Sequence, residues 1–143
     1  MTSVLITGGA GDWAKSFKER FSQQFDIHTP GRKELDVTCE QSVATFFDDE
    51  QFDIVINNAG SIHPKRVVES DTKQWINDIN VNLVGTYLVA KSALAANKDT
   101  IVINVSSTAG FNAYPDWSSY CASKAGVITL SKCLANDGFN AYC

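Results

Sequence analysis

Several functional classes are excluded by what this chain lacks. It has two histidines and four cysteines, and Cys39, Cys121, Cys133 and Cys143 form no C-x-x-C pair and no ligand spacing with His28 or His63. No metal site is expected from such a set. Four unpaired cysteines suit the reduced thiols of a cytoplasmic protein, with Cys143 the one expected to be exposed. Long charge runs are also missing: 12 basic and 16 acidic residues are scattered, for a net charge of −4. That argues against nucleic acid or an anionic membrane as partner. The apolar runs are strand-sized, so no bilayer span is expected. The N-terminus enters Val4-Leu5-Ile6 with no basic leader or cleavage pattern, so no secretory signal is expected. Repeats, low-complexity tracts and linkers are absent. What remains is one domain over residues 1–143, with ordinary globular composition at 44% hydrophobic and 20% charged.

Short β-rich runs alternate with amphipathic stretches, the pattern of a parallel sheet with helical crossovers. Strands are expected at Val4–Ile6, Asp26–Thr29, Leu35–Val37, Ile54–Ile56 and Ile101–Val105. Ile54-Val55-Ile56 is apolar on both faces, as a central parallel strand should be. Trp13, Phe17 and Phe21 recur every fourth residue and mark the first helix. Thr38 and Gln41 suggest a capping box for a helix carrying Val43, Phe46 and Phe47. Ile76, Ile79, Leu83, Tyr87 and Ala90 keep helical spacing over roughly 71–96, and a last helix is expected over 118–135.

Four groups of residues carry chemistry. Thr7-Gly8-Gly9-Ala10-Gly11-Asp12-Trp13-Ala14 joins a strand to a helix, where glycines admit a pyrophosphate to the backbone and the helix N-terminus offers free N–H groups. Asn57-Asn58-Ala59-Gly60 follows the fourth expected strand. Val81-Asn82-Leu83-Val84-Gly85 lies in the long helix. Ser107 ends the fifth strand, thirteen residues before Tyr120, and Lys124 lies one helical turn after Tyr120. A hydroxyl at Ser107 can hold a carbonyl oxygen, and Tyr120 can give that oxygen a proton or remove it. A free phenol has a pKa of about 10, and a lysine ammonium at i+4 lowers it by stabilising phenolate. Ser106 points to the opposite face from Ser107, as strand neighbours do. His63 reads as a solvated loop residue.

Over Val4 to about Asn140 these residues resemble the short-chain dehydrogenase/reductase family. The resemblance implies a Rossmann-like doubly wound α/β fold and carbonyl–alcohol interconversion by hydride transfer with NAD(P)(H). Asn82, Ser107, Tyr120 and Lys124 would be the catalytic set, with Asn82 holding a helix bend and Lys124 also reaching the nicotinamide ribose. Gly8, Gly9, Gly11, Asp12, Trp13, Arg32, Asp36, Val37, Asn58, Ala59 and Gly60, with Tyr120 and Lys124, would contact the cofactor. Asp12 and Ala14 stand where the family has its second and third turn glycines, and Trp13 replaces an aliphatic residue. No acid ends the second strand, while Arg32-Lys33 follows it, which favours NADP(H) over NAD(H). Asp36-Val37 matches the family's Asp-Val pair beside the adenine.

At Ala141-Tyr142-Cys143 the resemblance places the start of a sixth strand. The expected sheet is therefore 3-2-1-4-5, lacking the family's last strands, with the fifth strand as an uncovered edge. Ile62, His63, Phe111, Tyr114 and Trp117 are candidates for the substrate pocket. The expected partner is a small carbonyl or alcohol, with homo-oligomerisation through the helices carrying Asn82 and Tyr120. A non-catalytic NADP(H)-binding module and an interaction protein built on the old fold are the other readings. A sugar-nucleotide epimerase fits the Gly8/Gly11 spacing, though Asn57-Asn58-Ala59-Gly60 speaks against it.

Overall fold

Alternating burial sets the centre of the molecule. The computed structural model describes residues 1–143. In strand β1 (Ser3–Ile6), Val4 and Ile6 face one side of the sheet and Leu5 the other, and all three are buried. Helix α1 (Asp12–Phe21) follows, then β2 (Asp26–His28), α2 (Glu40–Asp48), β3 (Ile54–Asn57), α3 (Thr72–Ile79), α4 (Gly85–Ala96), β4 (Ile101–Asn104), α5 (Ser118–Asn136) and β5 (Ala141–Tyr142). The five strands form one all-parallel sheet in the order β2-β1-β3-β4-β5. Register runs Leu5 to Val55, Val55 to Val102 and Val102 to Ala141.

The α/β doubly wound class is as expected. Leu5 and Val55 meet Val43, Phe47, Leu88 and Val89 from α2 and α4 on one face. Val4, Ile6 and Ile56 meet Ala14, Phe17 and Phe21 of α1 on the other. Burying each such side chain contributes about 1.5–3 kcal/mol before chain entropy is counted.

Leu35–Val37 is not a strand. Asp36 holds a local turn instead: its carboxylate accepts from Thr38 N at 3.0 Å, Thr38 Oγ1 at 2.6 Å and Arg32 Nε at 3.2 Å. Leu35 N donates to the Gly31 carbonyl and Asp36 N to Ser42 Oγ, so two of the segment's three backbone donors are committed away from a ladder. The same bonds prevent the expected capping box, and Cys39 caps α2 with no side-chain bond. The fifth strand comes from the chain's end, where Val102 N donates to the Asn140 carbonyl at 2.8 Å and β5 covers the edge of β4.

The helical stretch expected over 71–96 runs from Thr72 to Ala96 without a break but is not a uniform α-helix. A π turn at Asn80–Val84 separates α3 from α4, and such turns bend helices and re-aim side chains. Thr72–Ala96 is long and apolar enough to match a membrane span by composition, an apolar length that strand-sized runs did not suggest. Its apolar residues, Leu88, Val89 and Ala93 among them, instead pack into the sheet core.

Candidate active site

The C-terminal ends of β1, β3 and β4 place every motif along one edge of the sheet, the edge where open α/β sheets bind ligands. At the β1–α1 turn, Gly8 has φ +71° and Gly9 packs against the backbone of Thr29 and Pro30. Gly11 caps α1 with no side-chain bond, so the helix N-terminus keeps its donors. Thr7 ties this turn to the next strand: its hydroxyl accepts from Asn58 N and Ala59 N, each at 3.0 Å. Asn58 Nδ2 returns a bond to the Thr7 carbonyl at 3.1 Å.

A cleft of about 220 Å³ opens here, lined by Gly8, Arg32, Asp36, Val37, Ala59, Gly60, Ser61, Asn77 and Val81 among others. Of the residues expected to contact a cofactor, Gly8, Arg32, Asp36, Val37, Ala59 and Gly60 line it, while Gly9, Gly11, Asn58, Tyr120 and Lys124 do not. Asp12 and Trp13 lie outside its lining; Trp13 is 49% exposed and rests on Phe17 at 5.3 Å. Trp13, which replaces the family's aliphatic residue, therefore leaves the cleft floor open. The Thr38 hydroxyl holds the Asp36 carboxyl below its usual range against a raising effect of burial, with Thr38 N and Arg32 assisting. Arg32 is exposed on the rim and pairs with Asp36. The glycine cradle, uncapped helix end and cationic rim fit a dinucleotide.

Tyr120 and Lys124 share the inner face of α5. Lys124 is almost fully buried, donates to the Val105 carbonyl at 2.8 Å, and places its Nζ 5.6 Å from the Tyr120 ring centre. Burial lowers its pKa from the usual 10.5, and a charge contribution from Cys143 works the other way. Ser107, in extended backbone, accepts from Ala109 N at 3.1 Å, which leaves its O–H free to donate. The Ser106 hydroxyl is committed to the Lys124 carbonyl at 2.9 Å. A larger cavity of about 570 Å³ opens beside Ser107 and Phe111, between α5 and β5, but neither Tyr120 nor Lys124 lines it. Tyr114, Trp117 and Tyr120 form an aromatic row, with ring centres 5.4 and 5.7 Å apart.

Asn82 is fully buried in the π turn. Its Oδ1 accepts from Ser61 N at 2.7 Å, and its Nδ2 donates to the Ser61 carbonyl at 2.8 Å and to Ser123 Oγ at 3.0 Å. His63 lies in an exposed loop, as expected, but it is tethered: its ring Nδ1 lies 2.7 Å from the carboxylate of Asp78, which is wholly buried. Asp78, Ser61, Ser119 and Ser123 were not anticipated. The available signal was the spacing Trp75, Asp78, Asn82, which puts a carboxylate on the buried stripe of a helix.

A family model described as short chain dehydrogenase matches residues 4–140. The 3-oxoacyl-acyl-carrier-protein reductase of Aquifex aeolicus is 29% identical over 95% of this chain and 58% of its own length. Trans-4-hydroxycyclohexanecarboxylate dehydrogenase of Sinomonas cyclohexanicum is 36% identical over 94% of this chain and 56% of its own length. The chain thus spans little more than half the length of these relatives. Among solved structures, a small-chain dehydrogenase superposes with a TM-score of 0.86 at 23% identity, covering 95% of this chain and 76% of that one. Serine dehydrogenase from Escherichia coli gives 0.85 at 22% identity over the same shares. With the glycine turn, the cleft and the Tyr120–Lys124 face in place, the match over residues 4–140 makes this chain a member of the short-chain dehydrogenase family.

Proposed function

We propose that the protein interconverts a small carbonyl compound and its alcohol by hydride transfer with NADP(H), Tyr120 serving as acid and base. The observation that carries this reading is the buried Lys124 ammonium held under the Tyr120 ring. The Val105 carbonyl fixes the Lys124 side chain beside Tyr120, whose phenolic O–H can give a proton to the substrate oxygen or take one from it. Ser107 donates to the carbonyl oxygen and orients it. Asn82 keeps the loop after β3 against α5. The bound nicotinamide supplies or accepts the hydride. Gly8, Gly11, Ala59 and Gly60 form its cradle, and Arg32 suits a 2′-phosphate, which is why NADP(H) is favoured over NAD(H). Asp36 and Val37 stand where an adenine would lie.

Tyr114 and Trp117 give the substrate an aromatic wall. The relatives' names include a 3-oxoacyl reductase and a hydroxycyclohexanecarboxylate dehydrogenase, and a panel of ketones with acidic or thioester tails follows from them. The exposed face of α4 and α5, with Tyr87, Leu130, Leu134 and Phe139 around an apolar groove, suits pairing of two copies. A cytoplasmic location fits the free cysteines. The second reading, a cofactor-binding module without turnover, draws on the chain's covering little more than half of its relatives' length.

Tyr120→Phe separates the two. NADPH oxidation with the carbonyl panel should fall by at least about a hundredfold, the scale of a lost general acid. The NADPH dissociation constant should stay within about threefold, less than the tenfold that corresponds to about 1.4 kcal/mol. Turnover retained in the variant would contradict the mechanism, and no wild-type turnover despite tight NADPH binding would favour the binding module.

A further inference from the structure

Asp78 is a fully buried carboxylate that hydride transfer as described does not use. Taking a carboxylate out of water is costly unless donors surround it. Four do: Ser61 Oγ and His63 Nδ1 donate to Oδ1, both at 2.7 Å, while His63 N at 2.9 Å and Ser119 Oγ at 2.7 Å donate to Oδ2. Their hydrogen bonds keep its pKa below the usual carboxylate value despite the opposing effect of burial. An ionised carboxylate only accepts, so the imidazole proton facing it must sit on Nδ1.

The arrangement around it has a register. Trp75, Asp78 and Asn82 follow one stripe of α3 and the π turn. Trp75 Nε1 donates to Ser118 Oγ at 2.9 Å, Ser119 Oγ donates to Asp78, and Asn82 Nδ2 donates to Ser123 Oγ at 3.0 Å. Ser119 and Ser123 are the residues immediately before Tyr120 and Lys124, and the Ser123 hydroxyl donates onward to the Tyr120 carbonyl at 2.8 Å. Asp78 and Asn82, one turn apart, also grip the same residue of the cofactor loop: Ser61 by its hydroxyl and by its backbone, respectively.

We propose that Asp78 is a positioning residue for Tyr120, fixing the rotation of the first turn of α5 against the loop 60–63 through Ser119, Ser61 and His63. The proposal rests on the reading of Tyr120 as acid and base. Asp78→Asn keeps the volume and replaces one acceptor oxygen with a donor, so it breaks the set without opening a cavity. Ser119→Ala breaks only the link to α5.

Amide exchange on the full chain without cofactor tests the lock itself. In both variants exchange should rise about tenfold at 119–124, and in Asp78→Asn at 61–63 as well. The amides of β1 and β3 should stay within about twofold, because the opening is local. Uniform acceleration through the sheet, or none, would overturn the proposal; if Asp78→Asn does not fold, Ser119→Ala carries the comparison. Nitrogen NMR of His63, tractable with only two histidines in the chain, should show the proton on Nδ1 and its loss in Asp78→Asn. A proton on Nε2 in the wild type would overturn it too. In turnover, kcat should fall about tenfold with the KM for NADPH within about twofold, the mark of a misplaced acid rather than lost cofactor contacts. An unchanged kcat, or an equal loss in both constants, would overturn the catalytic role. A wild-type chain without turnover would instead contradict the reductase reading, and the exchange and imidazole measurements would still decide the lock.

Discussion

Gly8 stands at φ +71°, and a Cβ there would lie 2.9 Å from the Ala59 Cα; one added at Gly9 would lie 2.1 Å from the Thr29 carbonyl oxygen. At Gly11 the nearest atom would be the Gly8 carbonyl oxygen, at 3.2 Å. The turn therefore requires glycine at its first two glycine positions, whereas at the third the Gly8 carbonyl need give by only a few tenths of an ångström. Gly9→Ala should lower stability by about 1–3 kcal/mol or more, since backbone rather than a flexible side chain must yield. Gly11→Ala should cost less, about 1 kcal/mol or below, because the tight contact with the Gly8 carbonyl is relieved by a small shift. Urea unfolding of the two variants checks this, and equal losses would contradict it. The glycine turn was legible in the sequence because strand, glycines and helix follow one another directly. Which glycines are indispensable was not, because the answer lies in Thr29 and Ala59, residues distant in sequence.

At the scale of elements, α5 was readable from periodicity alone, and Tyr120 and Lys124 share its inner face as an i,i+4 pair must. The stretch 71–96 was readable as helical, and the family resemblance implied a bend held by Asn82; that the bend is a π turn tied to Ser61 and Ser123 is not revealed by sequence spacing. Leu35-Asp36-Val37 alternates like a strand, yet Asp36 closes a turn on Thr38, and alternation alone cannot separate the two. Asp78 was overlooked because a carboxylate on a helix ordinarily faces water. Its burial has a consequence for acid stability. A carboxyl whose folded pKa lies below its unfolded value contributes stability that is present above the unfolded pKa, about 3.9, and is lost as pH falls through the folded one. The wild type should therefore lose more stability between pH 5 and pH 3 (roughly the span on either side of the unfolded value) than Asp78→Asn, which has no proton to take up. At neutral pH the same variant should be less stable by about 1–3 kcal/mol, the cost of mismatched buried partners. Urea unfolding at the two pH values measures both, and parallel acid losses would contradict the assignment.

For the whole molecule, the doubly wound parallel sheet was legible because strand and helix signals alternate from end to end. The expected bare edge at β4 is covered by Ala141–Tyr142, a strand too short to register as a pattern but held by the Asn140 carbonyl and the packing of Ala141 on Val102. The resulting molecule presents the glycine-turn cleft and the Tyr120–Lys124 face on one sheet edge, and the proposed function requires the two to act together on NADP(H). The most direct measurement is a fluorescence titration of the chain with NADPH and NADH, repeated on Arg32→Ala. NADPH should bind more tightly than NADH, and Arg32→Ala should weaken NADPH alone by about tenfold, the scale of one charge-assisted contact to phosphate. Binding of neither dinucleotide, or equal binding of both untouched by the loss of Arg32, would contradict it.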